Sequence, residues 1–114
     1  MEYFVVTNEQ GRSWVDARPM REQELWAEHA AFVNSLMYAG FVILGGPIGS
    51  GRPHRALLII QSNSETQVRT RLAEDPWVRA GILLTGRVDS WKILVSNDKL
   101  DPVLAEIMTP ATPP

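Results

Sequence analysis

This sequence predicts an α+β protein of the ferredoxin-like type, with a four-stranded antiparallel sheet carrying two helices on one face. Three observations predict it. β-rich runs at residues 3–7, 41–44, 55–61 and 88–95 are interleaved with helical patterns at 20–39 and just after Ser64. The resulting order, β-α-β-β-α-β, is the split βαβ arrangement. Ala56, Leu57, Leu58, Ile59 and Ile60 form a near-continuous apolar run, as expected of a strand buried on both faces. A chain of 114 residues holds one core, so the helix-free face of the sheet calls for a second subunit. A homodimer with two facing sheets is therefore expected.

The first strand runs Tyr3-Phe4-Val5-Val6-Thr7. A polar turn follows at 8–13, and 14–19 is irregular up to Pro19, a residue suited to the first position of a helix. From 20 to 39, Leu25, His29, Phe32, Leu36 and Gly40 recur in steps of three and four, with Val33 and Met37 widening the stripe. Glu22, Glu24 and Glu28 lie toward its N-terminal half, where carboxylates favour the helix dipole, and Gly40 suits its C-cap.

The strand 41–44 runs into Gly45-Gly46-Pro47 and Ile48-Gly49-Ser50-Gly51-Arg52-Pro53, a turn-rich connector able to close a hairpin on 55–61. Ser64 and Gln67 match a capping box, Val68 and Leu72 give the short helix an apolar side, and Asp75-Pro76 breaks it. Residues 77–81 are a turn or short helix, and the last strand is 88–95. The domain is expected to span 1–97. Residues 98–114 form a C-terminal extension, a short helix opening at Asp101-Pro102 and then a proline-rich tail.

Composition excludes several classes. Net charge is -2, from 11 basic and 13 acidic residues, which leaves no footprint for nucleic acid or an anionic membrane. No apolar run approaches the ~20 residues that span a bilayer. The N-terminal run reads as a strand rather than a signal peptide. There is no cysteine, which excludes disulfides, thiolate nucleophiles and zinc–thiolate sites, and a cytoplasmic location is expected. His29 and His54, with scattered carboxylates, do not make a metal-ligand spacing. Neither a metal nor another cofactor is expected.

The residues able to carry chemistry are few. His29 is an ionisable group on an otherwise apolar helical stripe. It reads either as a helix histidine bonded to a carbonyl or as a general acid or base near neutral pH, and spacing alone leaves the first the commoner case. Asp75-Pro76-Trp77 reads either as a helix terminator with a packing tryptophan or as a carboxylate that orients the imidazole, with Trp77 walling a pocket. Gly45-Gly46-Pro47 reads as a hairpin turn or as a place where backbone approaches a ligand. Ser50 could donate to a substrate, but lacks the basic partner of a nucleophile. Arg18 and Arg21 read as solvated arginines or as partners for an anionic group. His54, between Pro53 and Arg55, is expected to be exposed. Trp14, Trp26, Trp77 and Trp91 are expected in the core and the dimer interface.

Taken together, Trp26-x-x-His29-x-x-Phe32, Leu36, Gly40, Gly45-Gly46-Pro47, Asp75-Pro76-Trp77-x-x-Ala80-Gly81 and Val88-x-x-Trp91 resemble the YCII-related (YciI-like) family from about Tyr3 to Val95. The motifs are short, but their order and spacing together are fairly specific. The resemblance implies a dimeric α+β barrel of ferredoxin-like subunits and a pocket holding a His–Asp pair, which map onto His29 and Asp75. One branch of that family is a dehydrochlorinase acting on a chlorinated hydroxyhydroquinone, and related barrels include muconolactone isomerases. Gly46-Pro47 matches the family's glycine–proline turn. Trp77 stands where many members carry phenylalanine or tyrosine, a departure that bears on pocket size.

The function expected is proton transfer on a small, cyclic or aromatic substrate by a lyase- or isomerase-like enzyme. His29 and Asp75 would be catalytic, and Arg18, Arg21, Gly46, Pro47, Ser50 and Trp77 would contact substrate. The alternative is a non-catalytic ligand-binding or accessory dimer built on the same pocket.

Overall fold

The computed structural model describes residues 2–50 and 52–97. The expected C-terminal helix and tail, 98–114, lie outside the described residues. Strand β1 is Glu2–Gln10, helix α1 Trp26–Tyr38, strand β2 Val42–Pro47, strand β3 Arg55–Ser62, helix α2 Glu65–Leu72, short helix α3 Pro76–Arg79 and strand β4 Leu83–Trp91. The strands lie in the order β2-β3-β1-β4, and every neighbouring pair is antiparallel. This is the ferredoxin-like arrangement the element order predicts.

Alternation along the strands decides where the core lies. Phe4 and Val6 on β1 stand opposite Ile60 and Leu58 on β3 and Ser90 and Val88 on β4. Phe4, Val6, Leu58, Ile60 and Val88 are buried together with Leu36 of α1, Val68 and Leu72 of α2, and Phe41 and Val42. A second cluster, Trp77, Ile82 and Leu83, gathers Trp14, Met20, Trp26 and Val78 at one end of the helix layer.

Both α1 and α3 end in the same way. Phe41 N–H bonds the Leu36 carbonyl and Gly40 N–H that of Met37, while Ile82 N–H bonds the Trp77 carbonyl and Gly81 N–H that of Val78. These are Schellman caps, and each needs a left-handed residue, which Gly40 and Gly81 supply with φ of 79 and 74°. In each cap the residue after the glycine packs into the same core cluster as the residue at the first carbonyl.

The expected helix 20–39 is corrected at its start. Met20–Glu22 is one 3-10 turn, and α1 begins at Trp26 after Leu25, which is left-handed (φ 61°) and partly exposed. Leu25 is therefore not part of the apolar stripe. The last strand is also shifted, to Leu83–Trp91, and β2 continues through Gly45-Gly46-Pro47 rather than turning there. Gln67 modifies the expected capping box. Its N–H bonds the Ser64 hydroxyl oxygen, but its amide oxygen accepts from Asn63 N–H and from the Ser62 hydroxyl.

Candidate active site

Asp75 is placed by the local chain. Pro76 occupies the first turn of α3, and Asp75, its N-cap, accepts the Trp77 N–H at Oδ1, 2.9 Å. That fixes the carboxylate at the mouth of α3, facing α1. His29, in the first turn of α1, brings its Nδ1 to 2.8 Å from Oδ2 and 3.0 Å from Oδ1 of Asp75. Asp75 is only 4% exposed. A carboxylate only accepts, so the hydrogen of this contact belongs to Nδ1. The nitrogen left for another partner is Nε2.

Trp77 fixes the imidazole plane. The two rings are stacked with centroids 3.9 Å apart and planes 6° from parallel. The indole is itself locked, since its N–H donates to the Glu24 carbonyl at 2.6 Å and its residue is 1% exposed. Trp26 leans on both rings, and Trp14 meets Trp77 edge-on. Three of the four tryptophans thus enclose the pair, while Trp91 lies elsewhere and is partly exposed.

The pair opens on a cavity of about 230 Å³ between the helix layer and the sheet. An engineered apolar cavity of about 150 Å³ takes in benzene, so this one has room for a single substituted ring. Gly46, Pro47 and Trp77 line it, with Met20, Leu44 and Leu58 among its apolar walls. Arg18 and Ser50 do not. They line a neighbouring cavity of about 470 Å³, with Arg52 and Asp16. Arg21 lines neither; its guanidinium lies over the Trp26 ring, 5.7 Å from the centroid. The three polar residues expected to contact substrate are therefore not on the wall that carries His29. Their segments precede α1 or close the β2–β3 hairpin, outside the helix–sheet gap.

Four further polar residues line the first cavity, Asn8, Asn34, His54 and Thr85, and of these Asn8 and His54 bear most on its chemistry. Asn8 is 6% exposed, and its Oδ1 is buried without a hydrogen-bond partner among the described residues. Such an orphaned group costs about 1–3 kcal/mol, which a ligand's donor would offset. His54 is half-buried, not exposed as its neighbours Pro53 and Arg55 suggest. Its ring stacks on Trp14, centroids 4.3 Å apart and 13° from parallel. Burial, and then the nearby His29, push its pKa below the ordinary imidazole value. A signal for both was present in the alternation: Asn8 continues Phe4 and Val6, and His54 precedes Ala56, Leu58 and Ile60, in steps of two on the core face.

The sheet order, helix placement and buried layer define a ferredoxin-like α+β protein. No family model and no curated protein matches the chain. Among solved structures it is similar to 5-chloro-2-hydroxyhydroquinone dehydrochlorinase from Burkholderia phenoliruptrix AC1100, in complex with 2,5-dihydroxybenzoquinone. The TM-score is 0.57 and the identity 24%, over 79% of this chain and 93% of that one. The likeness establishes a shared fold and supports the YCII-related resemblance at that level.

Among the described residues no helix is long and apolar enough to cross a membrane, and no group of three or more His, Cys, Asp or Glu is placed to hold a metal ion.

Proposed function

We propose that this chain is a small-molecule enzyme of the YCII-related type, working as a cytoplasmic homodimer without a cofactor. It uses His29 and Asp75 for proton transfer on a small cyclic or aromatic substrate. The observation that carries this reading is the Nδ1–carboxylate contact at the wall of a cavity sized for one ring. His29 Nε2 takes a proton from an acidic C–H or O–H of the substrate. The electron pair left behind either expels a leaving group, as in an elimination, or moves through the ring until the same imidazolium returns the proton to another carbon, as in an isomerisation. Asp75 and the face of Trp77 both favour the imidazolium while it exists. Gly46 and Pro47 shape the floor of the pocket, and Arg18 and Ser50 serve substrates long enough to reach the adjoining cavity.

Hydroxylated, chlorinated and quinoid single rings are the first compounds to test, because the similar dehydrochlorinase acts on one and was solved with another. Wild-type turnover is expected within such a panel. His29→Ala and Asp75→Asn should each lower kcat by about 10²–10⁴-fold. Undiminished turnover in both variants would overturn the acid/base role. Saturable binding of 2,5-dihydroxybenzoquinone with no turnover of any panel member would make the chain a ligand-binding module instead.

A further inference from the structure

We infer that His54 is a second working group of the same cavity. Its uncharged ring donates a hydrogen bond to the substrate oxygen on which negative charge collects when His29 removes a proton. The inference rests on the proton-transfer reading of His29, and it narrows the substrate class to compounds with a carbonyl, or an equivalent quinoid oxygen, conjugated to the acidic position.

The cavity has two chemically different walls. His29, Asp75 and Trp77 come from the helix layer, while Asn8 comes from β1 and His54 from the residue just before β3. Asn8 is opposite Ala56 in the β1–β3 register, so Asn8 and His54 are diagonal neighbours on the helix-facing side of the sheet. A ring lying between the walls meets a base on one side and hydrogen-bonding groups on the other. That is the arrangement an enolisation needs. The C–H bond breaks, its proton passes to His29 Nε2, and the electron pair moves onto the carbonyl oxygen. A donor already in place there lowers the barrier without having to reorganise. The oxygen keeps its negative charge, or is protonated later by the imidazolium, so His54 is never asked to give up a proton outright.

His54 is built to hold such a position. Its N–H bonds Gln10 Oε1 at 2.8 Å, and its carbonyl accepts from Gln10 N–H at 3.1 Å, which pins the backbone on both sides of the residue. Trp14 supports one ring face and meets Trp77 edge-on, so the two histidines are carried by one block of packed aromatics. The His54 ring nitrogens make no hydrogen bond to any other described residue. The ring shares the walls of the first cavity with His29 and Asp75, and those of the second with Asp16, Arg18 and Arg52. Burial and the proximity of His29 lower its pKa from the ordinary imidazole value, which favours the neutral ring beside His29. A neutral imidazole kept so by its surroundings is an effective electrophile toward a carbonyl oxygen.

Nitrogen-detected NMR of the histidine rings in the full chain tests this without a substrate. His54 should titrate below the ordinary imidazole value, and His29→Gln should move it upward. If His54 titrates at or above that value, its role as a neutral donor is overturned, whatever His29 does. Adding 2,5-dihydroxybenzoquinone should shift the ring signals of both histidines. His54→Phe, which keeps an aromatic ring against Trp14, should weaken binding of that quinone by roughly ten-fold, the worth of one buried hydrogen bond to a charged oxygen. His54→Gln, which keeps a donor, should recover part of the loss. A quinone that shifts His29 but not His54 overturns the inference and leaves the His29 reading standing. A quinone that shifts neither overturns the inference, while the acid/base reading of His29 stands or falls on turnover of the ring panel.

Discussion

Asp75 serves two structures with one carboxylate. Oδ1 caps α3 through the Trp77 N–H, and both oxygens face His29 Nδ1. The two roles separate on substitution. Asp75→Asn keeps an oxygen for the cap but presents an amide that can donate to Nδ1, which favours the wrong imidazole tautomer. Its stability should stay within about 1 kcal/mol of wild type while proton transfer fails. Asp75→Ala loses the cap and leaves the buried imidazole N–H without its acceptor, and should cost about 2–3 kcal/mol. Urea unfolding of the two variants beside wild type checks the split. Equal destabilisation by both would mean that the carboxylate's charge, rather than its oxygen at the cap, holds α3 in place.

At the scale of elements, the parts legible in the sequence are those set by local chemistry. Gly40, Ser64 and Asp75-Pro76 mark helix ends where backbone geometry demands them, and the β-α-β-β-α-β order follows from the periodicities. The misread boundaries are set by distant partners. β4 ends at Trp91 because its partner β1 begins at Glu2, and Trp91 pairs with Tyr3; Ile93, Leu94 and Val95 have β-rich character but no strand left to join among the described residues. β2 persists through Gly45 and Gly46 because β3 continues to pair with it, Gly45 opposite Leu58. The helix start is displaced by Gln23, which is buried and spends its whole amide on another segment. Its Oε1 accepts from Val15 N–H, and its Nε2 donates to the carbonyls of Val15 and Arg18. Hydrophobic periodicity cannot register such a polar anchor. The candidate site was half legible for the same reason: His29 and Asp75 stand out by type, whereas the approach of His54 depends on Trp14, which the segment anchored by Gln23 carries. Gln23→Met, which keeps the bulk and removes the amide, should cost about 2–4 kcal/mol through the backbone groups it orphans. It should also loosen the His54 ring, seen as loss of the Trp14 ring-current shift on its NMR signals. An intact shift in the folded variant would show that Gln23 does not set the position of Trp14.

For the whole molecule, the open question is what lies against the sheet face turned away from the helices. Register puts Val5 and the buried Ile59 in one row across that face, with Leu57 in the next, and the adjacent strand places Trp91 beside Tyr3 at its border. Trp91, on the outer strand β4, is 43% exposed, and Val5 and Leu57 on the two central strands are half-buried. An apolar strip of that width, bounded by the Arg87–Asp89 ion pair on β4, suits the equivalent face of a second copy. Packing sheet on sheet would bury it at the usual spacing of about 10 Å. Sedimentation equilibrium should therefore give twice the chain mass. Leu57→Glu together with Trp91→Glu places four carboxylates in a twofold interface and should raise the dimer dissociation constant by at least about 10²-fold, since burying unpaired charge costs several kcal/mol. A chain ending at Asn97 should dimerise like the full one. If instead the full chain is monomeric and only the shortened chain associates, residues 98–114 cover the sheet in place of a partner. The dimer proposal then fails, while the cavity on the opposite face keeps its chemistry.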